Sequence, residues 1–160
     1  MRVAIAADHA GVALKDDLRR WLDQRGVACT DFGTHSGDSV DYPDYAVAVA
    51  RAVSAGEFDR GILVCGSGIG MAIAANKVAG IRAAAIPDAR SAALSREHND
   101  ANVLALGERL TSPDDARAIV EAFLSTPFAG GRHQRRLDKI AALDQAQGPG
   151  PMAHGHSRLG

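Results

Sequence analysis

A cysteine followed by three alternating glycines is the part of the sequence best suited to chemistry. The stretch CGSGIG runs from Cys65 to Gly70 and follows an apolar run over residues 61–64. A glycine loop between a strand and a helix presents backbone N–H groups that stabilise negative charge above it. The same field lowers the pKa of a thiol, so Cys65 is a candidate thiolate base or nucleophile. The competing interpretation is a buried cysteine at a strand end, with a packing role alone.

Three familiar loop types do not fit this stretch. A nucleotide-binding P-loop needs lysine and then serine or threonine where this chain has Ala72 and Ile73. A dinucleotide-binding turn needs GxGxxG after the first strand, whereas these glycines form GxGxG after the third, with Met71 at the required position. A cysteine phosphatase needs an arginine where Met71 again stands. The loop is therefore interpreted through its chemistry, a thiol beside anion-stabilising N–H groups.

Other polar side chains follow the predicted strands or precede the last one. Asp8 and His9 come directly after the first strand, and Arg109 comes shortly after the last. Parallel open sheets bind ligands beyond the carboxyl ends of their strands, so these positions are candidates for a binding site. His98 and Asn99 stand just before the fifth strand. Together with Cys65, these residues make an unusually polar set.

Short apolar runs alternate with helical patterns, which is typical of βαβ units and a parallel sheet. Helical spacing of apolar residues also predicts a helix that follows most of the strands. The predicted strands cover residues 3–7, 27–31, 61–65, 82–86 and 103–106, and the predicted helices lie near 14–22, 44–55, 89–98, 112–124 and 132–146. We therefore predict an α/β fold, a three-layer Rossmann-like domain with a five-stranded parallel sheet and a C-terminal helix.

Length and composition predict one domain followed by a tail. The chain has 160 residues, of which 46% are hydrophobic, enough for one sizeable core. Residues 1–147 form the predicted domain. Residues 148–160 are rich in glycine and lack periodicity, which predicts a disordered tail.

Charge and cysteine content restrict the class of partner and the compartment. The formal net charge of -1 gives no electrostatic footprint for nucleic acid or an anionic membrane. No apolar run approaches the roughly 20 residues of a membrane span, and the N-terminus lacks a signal-peptide pattern. Cys29 and Cys65 fit reduced thiols and have no spacing for a structural metal. We expect a cytoplasmic protein that binds a small molecule or another protein chain.

Five separated motifs resemble a family of sugar-phosphate isomerases. The motifs are DHAG, DYPDYA, CGSGIGMAIAANKVAGIRAA, SREHNDANVLALG and GGRHQRRL, in this order along residues 1–144. Together they resemble the family that contains type B ribose-5-phosphate isomerase and the galactose-6-phosphate isomerase subunits. The resemblance implies interconversion of ribose 5-phosphate and ribulose 5-phosphate through an enediolate, in the pentose phosphate pathway, without a metal or organic cofactor.

The resemblance implies a catalytic set centred on Cys65, which would remove the proton from carbon 2 of the sugar. The loop that follows would stabilise the enediolate, with Gly66, Gly68, Ile69 and Gly70 as its binding positions. Ser67 stands where family members commonly have threonine, and this change keeps the hydroxyl group. His98 matches the family histidine that assists opening of the sugar ring.

The resemblance also implies a binding set. Asp8 and Asn99 would hold sugar hydroxyl groups. Arg132 and Arg136 lie four residues apart on one helical face and would bind the phosphate, with His9 and Arg109 at further binding positions. The implied assembly is a homodimer, or a dimer of such dimers, in which His98 and Asn99 reach the partner's Cys65 loop.

Some assignments stay open at the level of sequence. A hexose-6-phosphate isomerase of the allose or galactose type is the alternative substrate class, and a noncatalytic sugar-phosphate sensor is the alternative without catalysis. Asp41 and Tyr42 belong to a motif near the site, but they fit the start of a helix equally well. The remaining histidines are interpreted as incidental: His35, His133, His154 and His156.

Overall fold

Within the described residues, five strands, all parallel, form a single sheet, and five of six helices cover its two faces. The computed structural model describes residues 1–146, so the predicted tail from residue 148 lies outside the described residues. The strands are β1 (Arg2–Ala7), β2 (Ala28–Asp31), β3 (Arg60–Cys65), β4 (Ala83–Ala85) and β5 (Val103–Gly107). The helices are α1 (Val12–Gln24), α2 (Tyr42–Ser54), α3 (Ile69–Ala75), α4 (Ala89–Asn99), α5 (Pro113–Ser125) and α6 (Arg132–Ala146).

The strand order is β2-β1-β3-β5-β4, which places β3 at the centre of the sheet. Every neighbouring pair is parallel, and Cys65 at the end of β3 pairs in register with Gly107 at the end of β5. The predicted α/β fold with a five-stranded parallel sheet is confirmed. Because the central strands end side by side, the loops that follow them share one edge of the sheet.

The sheet is buried on both faces. Helices α1, α4 and α5 cover one face, where Ile62 of β3 packs in a core with Leu18 and Phe123. Helices α2 and α3 cover the other face, where Leu63 packs with Met71. Successive residues of a strand point to opposite faces, so a strand covered on both sides is an uninterrupted apolar run.

Most boundaries shift by one or two residues from those predicted, and two of these shifts have a local cause. Strand β4 begins at Ala83 rather than at residue 82, where the backbone N–H of Arg82 donates to the side chain of Asn102 rather than to a neighbouring strand. Helix α2 begins at Tyr42 rather than at residue 44, after an extended Asp41. Pro43 fits the first turn of α2, since its missing N–H would have no acceptor within the helix.

Helix α6 contacts α4 and the loop that precedes β4. It packs on α4 near its own beginning, and Asp144 near its end accepts a hydrogen bond of 2.8 Å from the N–H of Gly80. Within residues 1–146, no helix has both the length and the hydropathy that crossing a membrane requires.

Candidate active site

Cys65 lies at the end of β3 with its sulfur enclosed by the loop that follows. Only 5% of the residue is exposed, and its Sγ accepts a hydrogen bond of 3.1 Å from the N–H of Gly68. Gly68 has a φ of +79°, and a Cβ there would lie 2.9 Å from the carbonyl carbon of Leu106. Both the backbone conformation and the close approach therefore require glycine. Ser67 is exposed, and its Oγ accepts from the N–H of Ile69 at 3.3 Å.

Two side chains lie against the glycine loop from outside. The guanidinium of Arg109, an exposed residue, lies 3.0 Å from the place of a Cβ on Gly66. The ring of Tyr42 lies 2.7 Å from the place of a Cβ on Gly70. Tyr42, which the sequence left open, is thus both the first residue of α2 and a neighbour of the loop, whereas Asp41 makes no side-chain cap.

Asp8 and His9 follow β1 at the same edge of the sheet. The backbone N–H of Asp8 donates to the carbonyl of Val64, directly before Cys65, at 3.1 Å. Asp8 is buried, and its Oδ1 accepts from a backbone N–H two residues later at 3.0 Å. The Nδ1 of His9 accepts a hydrogen bond of 3.1 Å from the N–H of Val40. Sequence-predicted residues from three loops therefore meet at this edge.

A buried ion pair anchors the segment that leads from β2 to Val40. Lys15 is fully buried, and its Nζ lies 2.5 Å from the Oδ2 of Asp31. The other oxygen of Asp31 accepts from the N–H of Gly33 at 2.8 Å. Although burial raises the pKa of Asp31, the hydrogen bond from Lys15 and that from Gly33 outweigh it and hold the pKa below its usual range. The carboxylate stays charged and fixes the start of this segment.

His98 and Asn99 lie at the opposite edge of the sheet. They end α4, and the carbonyl of Asn99 accepts from the side chain of Arg82, which directly precedes β4. Cys65 is level with the other end of β5, and that strand alone is roughly 13 Å long at about 3.3 Å per residue. One chain does not bring Cys65 and His98 together.

Arg132 and Arg136 lie with His98 rather than with Cys65. Both are exposed in the first turns of α6, and His133 between them is buried. The rings of His98 and His133 are stacked, with centroids 4.4 Å apart and planes 15° apart. The candidate site residues therefore form two groups: Asp8, His9, Cys65, Gly66, Ser67, Gly68, Ile69, Gly70 and Arg109 at one edge, and His98, Asn99, Arg132 and Arg136 at the other.

The sequence and fold match one family of known proteins. Residues 3–140 match the family described as Ribose/Galactose Isomerase. The chain belongs to this family. The resemblance carried by the five motifs is thereby confirmed.

Relatives within the family share nearly the whole length of the chain. Ribose-5-phosphate isomerase B of Escherichia coli strain K12 is 49% identical over 144 residues, covering 90% of this chain and 97% of that protein. D-erythrulose-4-phosphate isomerase of Pectobacterium atrosepticum is 43% identical over 148 residues, covering 92% of this chain and 97% of that protein. A crystal structure of ribose-5-phosphate isomerase B from Mycoplasma genitalium with bound ribulose-5-phosphate has a TM-score of 0.87 at 41% identity, covering 90% of this chain and 96% of that chain.

The two cysteines of this family member differ in their surroundings. Burial, together with the charges of Asp23 and Asp31, raises the pKa of Cys29 to about 11. Cys29 is therefore a neutral thiol near pH 7, without the thiolate that a base or nucleophile requires. In the part of the chain that the structure describes, no three His, Cys, Asp or Glu side chains are placed to hold a metal ion.

His133 is the site neighbour that sequence reasoning missed. Its only signal was its position between two arginines, on a helical face that it shares with Arg136. The stacking on His98 depends on the packing of α6 against α4, which the residues of α6 do not reveal by themselves.

We expect His133 to make the fold less stable in weak acid. Burial lowers the pKa of His133 in the folded chain, and the charges of His98, Arg132 and Arg136 lower it further. The unfolded chain then takes up a proton first, so stability is complete above about pH 6.5 and falls as the pH decreases towards the folded pKa. The Tm of the wild type between pH 5 and 8 should therefore fall more steeply in acid than that of His133→Gln. Equal slopes for the two proteins would contradict this expectation.

Proposed function

We propose that this chain is an aldose–ketose isomerase that interconverts ribose 5-phosphate and ribulose 5-phosphate, a reaction of the pentose phosphate pathway. The observation that carries the proposal is Cys65, held at the carboxyl end of the central strand inside a loop of N–H donors. The E. coli relative named ribose-5-phosphate isomerase B, at 49% identity, supports the choice of substrate.

The chemistry assigned to the loop is proton transfer between adjacent carbons. Cys65 is the base that removes the proton from carbon 2 of the open-chain sugar, and the electron pair forms the enediolate. The proton returns to carbon 1, and a hydroxyl proton moves from oxygen 2 to oxygen 1. Backbone N–H groups of the first turn of α3 have no acceptor within their helix and stabilise the developing oxyanion, with the Ser67 hydroxyl beside them. Asp8, buried next to this loop, holds a sugar hydroxyl.

The proposed active site is shared between two copies of the chain. His98 opens the sugar ring and Asn99 holds a hydroxyl, but both lie at the edge away from Cys65. In a symmetric homodimer, the edge that carries Cys65 in each copy meets the edge that carries His98 in the other copy. The assembly therefore contains two equivalent pockets.

Exposed apolar side chains support this pairing. Ile69 and Leu110 border one cleft with Ser67, and Leu110 is 73% exposed. On the other edge, Ile140 and Leu143 are exposed on α6, Leu143 by 60%. Apolar groups that flank both halves of a site are the surfaces that a second copy covers.

The substrate test is a direct assay of the purified protein. We expect ribose 5-phosphate to give a higher kcat/KM than allose 6-phosphate or galactose 6-phosphate. A higher value for a hexose phosphate would replace the pentose assignment and keep the reaction class. Tight binding of sugar phosphates without turnover would identify a noncatalytic sensor instead.

The phosphate assignment predicts a large effect of one exposed arginine. Arg136→Ala should lower kcat/KM for ribose 5-phosphate by roughly tenfold to a hundredfold, because a hydrogen bond to a charged group contributes about 1.5 to 3 kcal/mol. Inhibition by inorganic phosphate should weaken by a similar factor. Arg135→Ala is the matched control, since this neighbour is also exposed and lies on another side of α6. Equal, small effects of both changes would return Arg136 to the solvated surface of the helix.

A further inference from the structure

Two arginines hold the turn at the end of α4. Asp100 ends the helix in the left-handed conformation, with a φ of 45°. Its carboxylate lies 2.8 Å from Nη1 of Arg96 and 3.2 Å from Nη2 of Arg82. Arg96 is almost fully buried and also donates to the backbone carbonyl of Ala101. Arg96 therefore holds the turn from its buried side, and Arg82 holds it from the start of β4.

Arg82 also binds the backbone of this turn directly. Its Nε donates to the carbonyl of Asn99 at 3.0 Å and to that of Asp100 at 3.1 Å, and its Nη2 donates to the carbonyl of Asp100 at 2.9 Å. The last carbonyls of a helix have no partner within the helix, and a cation there complements the helix dipole. The planar fork of arginine reaches both carbonyls and the carboxylate together, which the single ammonium of lysine does not.

The backbone of Arg82 is itself fixed. Its N–H donates to the Oδ1 of Asn102 at 2.8 Å, and its carbonyl accepts from the N–H of Asn102 at 3.0 Å. The guanidinium therefore extends from a rigid point at the start of β4. Its position determines where the backbone of Asn99 lies.

We propose that Arg82 is a positioning residue, which sets the direction in which His98 and Asn99 enter the pocket of a second copy. The inference rests on the function and the shared site proposed above. Arg82 itself acts through the backbone, since its donors are directed at the turn of its own chain. A small displacement of a group that transfers protons lowers the rate strongly. Loss of the Arg82 guanidinium should therefore slow ring opening.

The test compares a cyclic substrate with an acyclic one. Ribose 5-phosphate closes to a furanose and needs ring opening, whereas erythrose 4-phosphate has its carbon-4 oxygen esterified and cannot form a five-membered ring. One relative is named D-erythrulose-4-phosphate isomerase, after a tetrose phosphate. Arg82→Lys should lower kcat/KM for ribose 5-phosphate by about tenfold to a hundredfold and that for erythrose 4-phosphate by less than about threefold. Arg90→Lys, at an exposed position in the first turn of α4, should change neither.

His98→Gln serves as the reference for lost ring opening. If His98→Gln loses more kcat/KM on ribose 5-phosphate than on erythrose 4-phosphate and Arg82→Lys does not, the positioning role is overturned. The proposed function then stands. An equal loss on both substrates in Arg82→Lys also overturns the positioning role, because ring opening is then not the step that the change affects. A wild type that isomerises neither sugar defeats the proposed function.

A second measurement does not depend on catalysis. In ¹⁵N-labelled protein, Arg82→Lys should shift or double the imidazole signals of His98, whereas Arg90→Lys should leave them unchanged. Circular dichroism of the same samples reports whether the fold is retained. Unmoved His98 signals in folded Arg82→Lys protein would overturn the positioning role, whatever the activity of the wild type.

Discussion

Replacement of Cys65 by alanine is expected to lower kcat for ribose 5-phosphate by about a hundredfold to ten-thousandfold, the contribution of a general base. The change removes the thiol that the loop encloses and leaves untouched the arginines proposed to bind phosphate. Inhibition by inorganic phosphate should therefore stay within about threefold of the wild-type value, because the base acts in the transition state rather than in binding. Steady-state kinetics with ribose 5-phosphate and phosphate measure both effects.

Cys29→Ala is the matched control for this change. It removes the chain's other thiol, whose pKa of about 11 keeps it protonated near neutral pH. Its activity should equal that of the wild type. Substantial isomerisation by Cys65→Ala would assign the base to another residue, and a loss of phosphate inhibition would show that the loop had collapsed.

Mixing two inactive variants is expected to restore about a quarter of wild-type activity. Cys65→Ser damages one edge of the chain and His98→Ala the other. In a mixed dimer with shared sites, one pocket carries both lesions and the other carries neither. Random pairing of equal amounts makes about half of the dimers mixed, each with one good site of two.

The control mixes Cys65→Ser with Cys65→Ala, which damage the same edge and should stay inactive together. Native mass spectrometry of one isotope-labelled partner shows whether subunits have exchanged. No recovery after complete exchange would defeat the shared site and leave the reaction class standing. Recovery in the control mixture would point to contaminating activity.

The strands that could be predicted from the sequence are those that are buried on both faces. Residues 61–65 and 103–106 read as strands because both faces are covered, which leaves an uninterrupted apolar run. The glycine loop was recognisable because its constraint is local, as the positive φ of Gly68 shows. Strand β4 was harder to delimit, because the side-chain amides of Asn76 and Asn102 occupy the backbone groups at its start.

The sequence predicts the part of the candidate site that lies within one motif. It does not predict the contacts that the fold makes between separate elements. Tyr42 reaches Gly70, and His133 reaches His98, only through the packing of separate helices. Periodicity gives the buried face of each helix but not the neighbour that the face meets. The same limit applies to Arg82, whose role depends on the turn after α4.

The hydrogen bond from Val40 to His9 determines where this imidazole carries its proton. A backbone N–H only donates, so the Nδ1 that accepts it at 3.1 Å has a free lone pair in that direction. The neutral ring is therefore the Nε2–H tautomer, with its single N–H directed away from Val40. In the proposed site, His9 supplies one directional donor to a phosphate oxygen, while the positive charge comes from guanidinium groups, which stay protonated throughout the physiological range of pH.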